Sequence, residues 1–263
     1  MQARRADIDF ESANPLWTPA DPAFGHMLNG GSCQLPYLEP YLIKVMKMAR
    51  ERLGPEQRQL QADLHVFVQQ EANHYTTHAR YNAVLRRHYA GLEPFEAEIR
   101  DDFERFLAKR SLRWNLAYCE GFESLGLMQA ESIFEQADAL LRGSDPAVTA
   151  LWRWHLAEEF EHRTVCHDVY HALYGGYLYR VGVLVYTMWH LFTHSRRVAK
   201  HLLAQDRAAG RLPQRAPRSW RESWRALRFS LPRFASLFSP WYTPRRRSSL
   251  PEAERFLEAF AAR

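Results

Sequence analysis

Two stretches set a glutamate three residues before a histidine among bulky apolar neighbours: Glu71 and His74 in FVQQEANHYTTHARYN, and Glu159 and His162 in LWRWHLAEEFEHRTVCHDVY. On a helix, i, i+3 spacing aims both side chains at one point, and a buried charge has to be paired or metal-bound. With about 100° per residue and His155 as zero, Glu159 falls near about +40°, His162 near about −20° and Glu158 near about −60°. His155, Glu159 and His162 thus share one narrow face, and His78 and Asn82 extend the face of Glu71 and His74. Carboxylates bridge and neutralise two cations, and each imidazole adds one nitrogen. Two Glu-x-x-His pairs with one further Glu from each of two other helices form the donor pattern of a dimetal site in a bundle. Glu158 and His78 are expected just outside the donor set, Glu158 holding the second nitrogen of a ligand imidazole.

The elements that must position these residues read as helices throughout. Residues 1–31, rich in Pro, Gly and Asn, read as an extended arm. A first helix begins after Pro36 and stops at Gly54 and Pro55, and a second runs from about Glu56 to Tyr89. A third starts near Pro94 and runs, whole or broken, toward Leu141. Asp145 and Pro146 supply an N-cap and N1 for a fourth, which ends at the YGGY of 174–177. No stretch shows the bounded β-branched alternation of strands. The expected architecture is all-α: a four-helix bundle over residues 32–176 and a helical, basic and aromatic extension over 177–263.

Helix register tests the lone glutamates. Glu39 lies 15 residues before Gly54 and Glu71 lies 17 after it, so the two differ in height by about 3 Å. On the third helix, Glu120 lies 23 residues before Gly143 while Glu159 lies 14 beyond Asp145, a mismatch of about 13 Å for straight helices. Glu131 fits that ruler better, unless the third helix ends early. From the residues alone, Glu120, Glu123 and Glu131 all remain open.

The blocks SCQLPYLEPYLIKV, FVQQEANHYTTHARYN, LAYCEGFES and LWRWHLAEEFEHRTVCHDVY, from about Ser32 to Tyr174, resemble a bacterial family of predicted metal-dependent hydrolases of ferritin-like type. The most specific block is W-R-W-H-x-x-E-E-x-E-H, Trp152 to His162. The resemblance implies a ferritin-like bundle, and it aligns the third-helix acid of an A-L-E-H-F-T context with Glu120. Here Gly121 replaces the family's histidine, and YTPRRRSS stands where the family has P-G-F-H-P. In order and spacing the donors are also similar to those of di-iron arylamine N-oxygenases, in which an extra histidine one turn before the last Glu-x-x-His binds iron; His155 occupies that place. The expected ligands are therefore Glu39, Glu71, His74, Glu120, His155, Glu159 and His162.

Two iron ions, with manganese or zinc as alternatives, are the expected cofactors. The leading expectation is a di-iron enzyme that activates dioxygen to oxidise a small organic molecule, the alternative a dimetal hydrolase that lowers the pKa of bound water. A metal-storage or interaction protein ranks third, because the chain spends residues 177–263 on a basic, aromatic extension after the last ligand. Expected partners are a small-molecule substrate, lipophilic or carrier-bound, and an electron donor in the oxidative case. Oligomeric state is open, a homodimer included.

Composition fits this picture. Hydrophobic residues make up 46% and charged residues 25% of the 263, a globular balance. Between Ser195 and Arg247, fourteen Lys/Arg face two acids, Asp206 and Glu222, whereas the remaining chain carries 28 acids against 21 basic residues. The carboxylate surplus therefore coincides with the candidate donors. The basic segment reads as a solvated face, an anionic lipid contact or a dock for an acidic carrier protein; no motif suggests nucleic acid. Cys33, Cys119 and Cys166 are odd in number and scattered, and the N-terminus has no apolar h-region, so a cytoplasmic location, peripheral to a membrane at most, is expected. The longest apolar run, Val181 to Phe192, is short of the roughly 20 residues that span a bilayer.

Overall fold

The structure, a computed structural model, describes residues 1–138, 140–213 and 220–261, and the side chains of all of these except 220–227 and 261. It is 74% helical and has no strand among the described residues. The helices are α1 (Pro22–Ser32), α2 (Leu35–Arg50), α3 (Arg58–His88), α4 (Glu93–Lys109), α5 (Leu112–Glu135), α6 (Pro146–His162), α7 (Val165–Leu173), α8 (Tyr177–Ala208), α9 (Trp220–Ser236) and α10 (Pro251–Ala261).

Four of them surround the candidate donors. α2 packs on α3 and α5, and α6 packs on α3 and α5. α1 lies along α8, which backs α5, while α10 covers α6. One continuous apolar core runs from Ala6, Ile8 and Phe10 in the N-terminal segment to Ala253 and Leu257 in α10. Among the described residues, no helix is long and apolar enough to cross a membrane.

Local chemistry explains the boundaries. Asp145 caps α6 by accepting from the N–H groups of Ala147 (2.9 Å) and Val148 (3.1 Å), with Pro146 at N1. Gly175 and Gly176 have φ of 63° and 95°, left-handed values that turn the chain into α8 at little steric cost.

Four boundaries differ from the sequence expectation. Residues 22–32 are helical rather than extended, because Asp21 accepts from Phe24 N–H at 3.0 Å and Pro22 occupies N1. The expected third helix is two, α4 and α5: Arg110 is extended and Ser111 caps α5 at Trp114 N–H. α5 stops at Glu135, well short of Leu141. The fourth helix likewise divides, at Arg163 and Thr164, into α6 and α7.

Candidate metal centre

Each of the four inner helices contributes to one buried cluster: Glu39 from α2, Glu71 and His74 from α3, Glu123 from α5, and His155, Glu159 and His162 from α6. All seven are between 0% and 3% exposed. They fall into two groups, Glu39–His74–His155 and Glu71–Glu123–Glu159–His162, with the donor atoms of each group within 4.8 Å of one another. Glu71 and Glu159 also face the first group: Glu71 Oε1 lies 3.6 Å and Glu159 Oε1 3.7 Å from His74 Nδ1, and Glu159 Oε1 lies 3.5 Å from His155 Nε2. Glu71 and Glu159 are thus the carboxylates within reach of histidines of both groups.

The donor atoms are left without partners. Both oxygens of Glu39, Glu71, Glu123 and Glu159 are buried with no hydrogen bond, as are His74 Nδ1, His155 Nδ1 and His162 Nε2. Buried polar groups are almost always satisfied, and an unpaired buried charge costs several kcal/mol. So many orphaned acceptors and ring nitrogens converging on one volume fit two cations.

The opposite edges of the imidazoles, by contrast, are well held. His74 Nε2 donates to Glu158 Oε2 at 3.0 Å, and His162 Nδ1 donates to Gln70 Oε1 at 3.1 Å. Gln70 Nε2 in turn donates to Glu161 Oε2 at 2.7 Å, and Arg4 donates to both Glu158 (3.2 Å) and Glu161 (3.0 Å). Such outer hydrogen bonds fix the tautomer, leaving the inward nitrogen free for a metal. His78 lies just outside either group, its ring centroid 4.9 Å from that of His155. Asn82 donates to the Ser32 carbonyl, so its Oδ1 accepts from Ser32 Oγ; Ser32 Oγ then accepts from His78 Nδ1 at 2.8 Å. His78 Nε2 is consequently the unprotonated nitrogen, and burial holds the ring's pKa well below its usual value.

The block from Trp152 to His162 can now be read residue by residue. Trp152 packs edge-on against His78 (5.0 Å) and Trp154 against His74 (4.9 Å), wedging the α3 imidazoles in place. Arg153 turns outward toward Asp138. His155, Glu159 and His162 face the cluster, while Glu158 and Glu161 form the outer hydrogen-bond layer. Residues 2–248 match the family described as "Predicted metal-dependent hydrolase". The chain belongs to that family. No curated protein and no solved structure matches it.

The family match covers more than the Ser32–Tyr174 expected from the motifs, taking in the N-terminal segment and most of the C-terminal extension. Of the seven expected ligands, the structure of this family member brings six together; Glu120 is the exception. Its carboxylate accepts from Arg180 Nη1 at 3.1 Å and from Ser124 Oγ at 3.3 Å, facing α8 and not the cluster. Glu123, three residues on and so about 60° round the helix, takes the place expected for it, 3.2 Å from His162 Nε2. Glu131 instead meets Arg233 and Arg247 from the basic extension. Arg245 pairs with Asp168 and Arg197 with Glu98, so several of these cations serve contacts within the molecule and not a bare solvated face. Residues 214–219 of the basic segment, and the side chains of 220–227, lie outside the described residues. Arg4 and Gln70 escaped the sequence reading. Gln70 adjoins Glu71, which could have drawn attention to it, but nothing local marks Arg4.

The electrostatics of the bare cluster predict proton-coupled metal uptake. Burial, with Glu71, Glu159 and Glu123 adding repulsion, pushes Glu39 well above the usual carboxylate range; burial and Glu159 do the same to Glu123. Burial would lower His74, but Glu158 and Glu71 prevail and raise it to about 9. Glu159 would also rise on burial, yet His162, His155 and His74 hold it at about 2. Without cations, His74 therefore carries a proton at neutral pH that a metal must displace, and Glu39 and Glu123 keep theirs to higher pH than ordinary carboxylates do. Calorimetric titration of zinc into the metal-free protein, in buffers of different ionisation enthalpy, should show net proton release at pH 7. Release from His74 should diminish as pH rises through about 9. Uptake with no proton exchange at pH 7 would contradict this charge assignment.

Proposed function

We propose that the cluster is a dinuclear metal centre within a ferritin-like four-helix bundle, and that this family member is a metal-dependent hydrolase. The observation that carries the reading is the convergence of four carboxylates and three imidazoles whose inward atoms have no other partner. A mixed oxygen and imidazole set suits zinc, manganese and iron. When bound, a cation pair lowers the pKa of a water and polarises a substrate oxygen. The chain's own residues then divide the remaining work. Glu71 and Glu159 reach both groups, Glu158 and Gln70 fix the imidazole orientations, and His78 presents an unprotonated Nε2 able to accept a hydrogen bond beside His155. The family description supports hydrolysis over the oxidation suggested by the ligand order alone.

Oxidation of an organic substrate by two irons and dioxygen is the second reading. The dryness of the site favours it, since all seven donors are at most 3% exposed and oxidising chemistry benefits from exclusion of water. One preparation separates the two. Metal analysis should give two cations per chain; zinc- or manganese-loaded protein should hydrolyse chromogenic esters or phosphoesters, and Glu159→Ala should not. Ferrous-loaded protein that instead consumes oxygen with a transient visible chromophore, and lacks hydrolysis, would replace hydrolysis with oxidation. Fewer than one cation per chain would defeat both.

A further inference from the structure

Beside the cluster lies a cavity of about 790 Å³, bounded by α1, α2, α5, α6, α8 and α9. Its volume is that of a site able to bury a drug-sized ligand. The walls are dominated by apolar side chains, among them Leu38, Phe122, Trp152, Met188 and Phe192. It touches the cluster at two points. His155 is part of its wall, and so is Gly126, where an added Cβ would lie 2.5 Å from Glu159 Oε2. At Gly126 only backbone therefore separates the cavity from the carboxylate.

Three polar atoms of residues in this wall are buried without a partner: His155 Nδ1, Trp152 Nε1 and Gln34 Oε1. Gln34, 3% exposed, donates through Nε2 to Ser195 Oγ (2.5 Å) and to the carbonyls of Gly30 and Leu191 (both 3.3 Å). Backbone carbonyls only accept, which fixes the amide nitrogen on that side. Oε1 is left buried without a donor, a state that normally carries a penalty. A ligand hydroxyl or N–H would remove it.

We propose that the cavity is the substrate pocket, and that it takes a long-chain amphiphile whose hydroxyl or amide N–H donates to Gln34 Oε1. That the bound molecule is turned over depends on the dinuclear reading above; that it binds does not. The chain's apolar body fills the space between α1, α5 and α8, which brings part of it against His155 and Gly126. Apolar walls and polarity thus select for apolar bulk first and for one donor second.

The test uses the metal-free full-length protein and calorimetric titration with decanol, its methyl ether, and shorter alcohols. Decanol should bind. Its ether, which cannot donate, should bind roughly tenfold more weakly, and each methylene removed from the alcohol should cost roughly fourfold. Gln34→Met should abolish the preference for alcohol over ether. Gly31→Leu should abolish decanol binding, because its side chain grows into the cavity; a Cβ there sits at an ordinary 3.7 Å from Trp152, so α1 has no need to shift. Far-UV helix content and metal stoichiometry of Gly31→Leu should match the parent, which separates a filled pocket from a misfolded chain. Decanol bound equally well by Gly31→Leu, or by neither protein, would overturn the proposal. Decanol binding by a protein that takes up no metal would leave the pocket standing and remove the dinuclear centre.

Discussion

Glu123→Gln should lower the metal content of the protein from two cations per chain to one, while Glu120→Gln leaves it at two. Glu123 belongs to the four-residue group with Glu71, Glu159 and His162, and its oxygens have no other partner. Losing even an outer support of a ligand costs about 10–100-fold in metal affinity, so losing a ligand should cost more. The same change should act oppositely on the metal-free fold. Burial and the nearby Glu159 hold the Glu123 carboxyl well above its ordinary pKa. A buried acid with a raised pKa destabilises the folded state once pH exceeds the unfolded value, because the unfolded chain releases the proton more readily. Glu123→Gln removes that penalty, so at pH 7 the metal-free variant should melt higher than the metal-free parent, yet gain less from added zinc or manganese. Elemental analysis and paired melts with and without cation read both effects. A reduced metal count in Glu120→Gln, with Glu123→Gln unaffected, would mean that α5 presents a different face to the cluster. The stability gain is a direct consequence of a site that concentrates unpaired carboxylates for binding at the expense of the empty fold.

How far this site was legible depends on which physical quantity each residue expressed locally. The five donors on α3 and α6 declare themselves by helical spacing, since i, i+3 and i, i+4 relations survive any tertiary arrangement, and Glu39 on α2 follows from its distance to the Gly54 turn. α5 is different. Its height relative to α6 depends on where the helix stops, and nothing sharp in the sequence marks Glu135 as the end. With that end known, Glu123 lies 12 residues before it and Glu159 lies 13 beyond Pro146, level to about 1.5 Å. Glu120 then misses by only about 3 Å, so height cannot choose between them. Rotation about the helix axis chooses, and that is set by α8, whose Arg180 claims Glu120. The partner is 60 residues away in sequence. The N-terminal segment was opaque for the same reason: Arg4 acquires its role through Glu158 and Glu161, more than 150 residues on. Short-range periodicity carried most of the helices and five of the donors, the Gly54 turn carried Glu39, and long-range pairing decided the rest.

The Arg180 pair carries the largest expected change in stability. Glu120 and Arg180 are buried at 0% and 2% exposure, and Arg180 also donates to the Leu237 carbonyl and lies 4.9 Å from the Tyr242 ring. Together these contacts tie α5 and α8 to the chain beyond α9. Removing one partner of a buried pair typically costs about 3–5 kcal/mol, because the other charge stays behind unpaired. Glu120→Ala should therefore lower the melting temperature by on the order of 10 °C, while the folded fraction binds its full metal complement. Glu120→Met combined with Arg180→Met removes both charges and should recover most of the loss, since apolar replacements of buried pairs are often neutral or better. Recovery should fall short of complete, because the Leu237 carbonyl then lacks a donor, at about 1–3 kcal/mol. A double-mutant cycle on melting temperatures isolates the coupling between the two side chains. Additive losses in that cycle would show that Glu120 and Arg180 stabilise the fold independently. A Glu120→Ala protein that melts normally but loses a cation would return Glu120 to the metal centre.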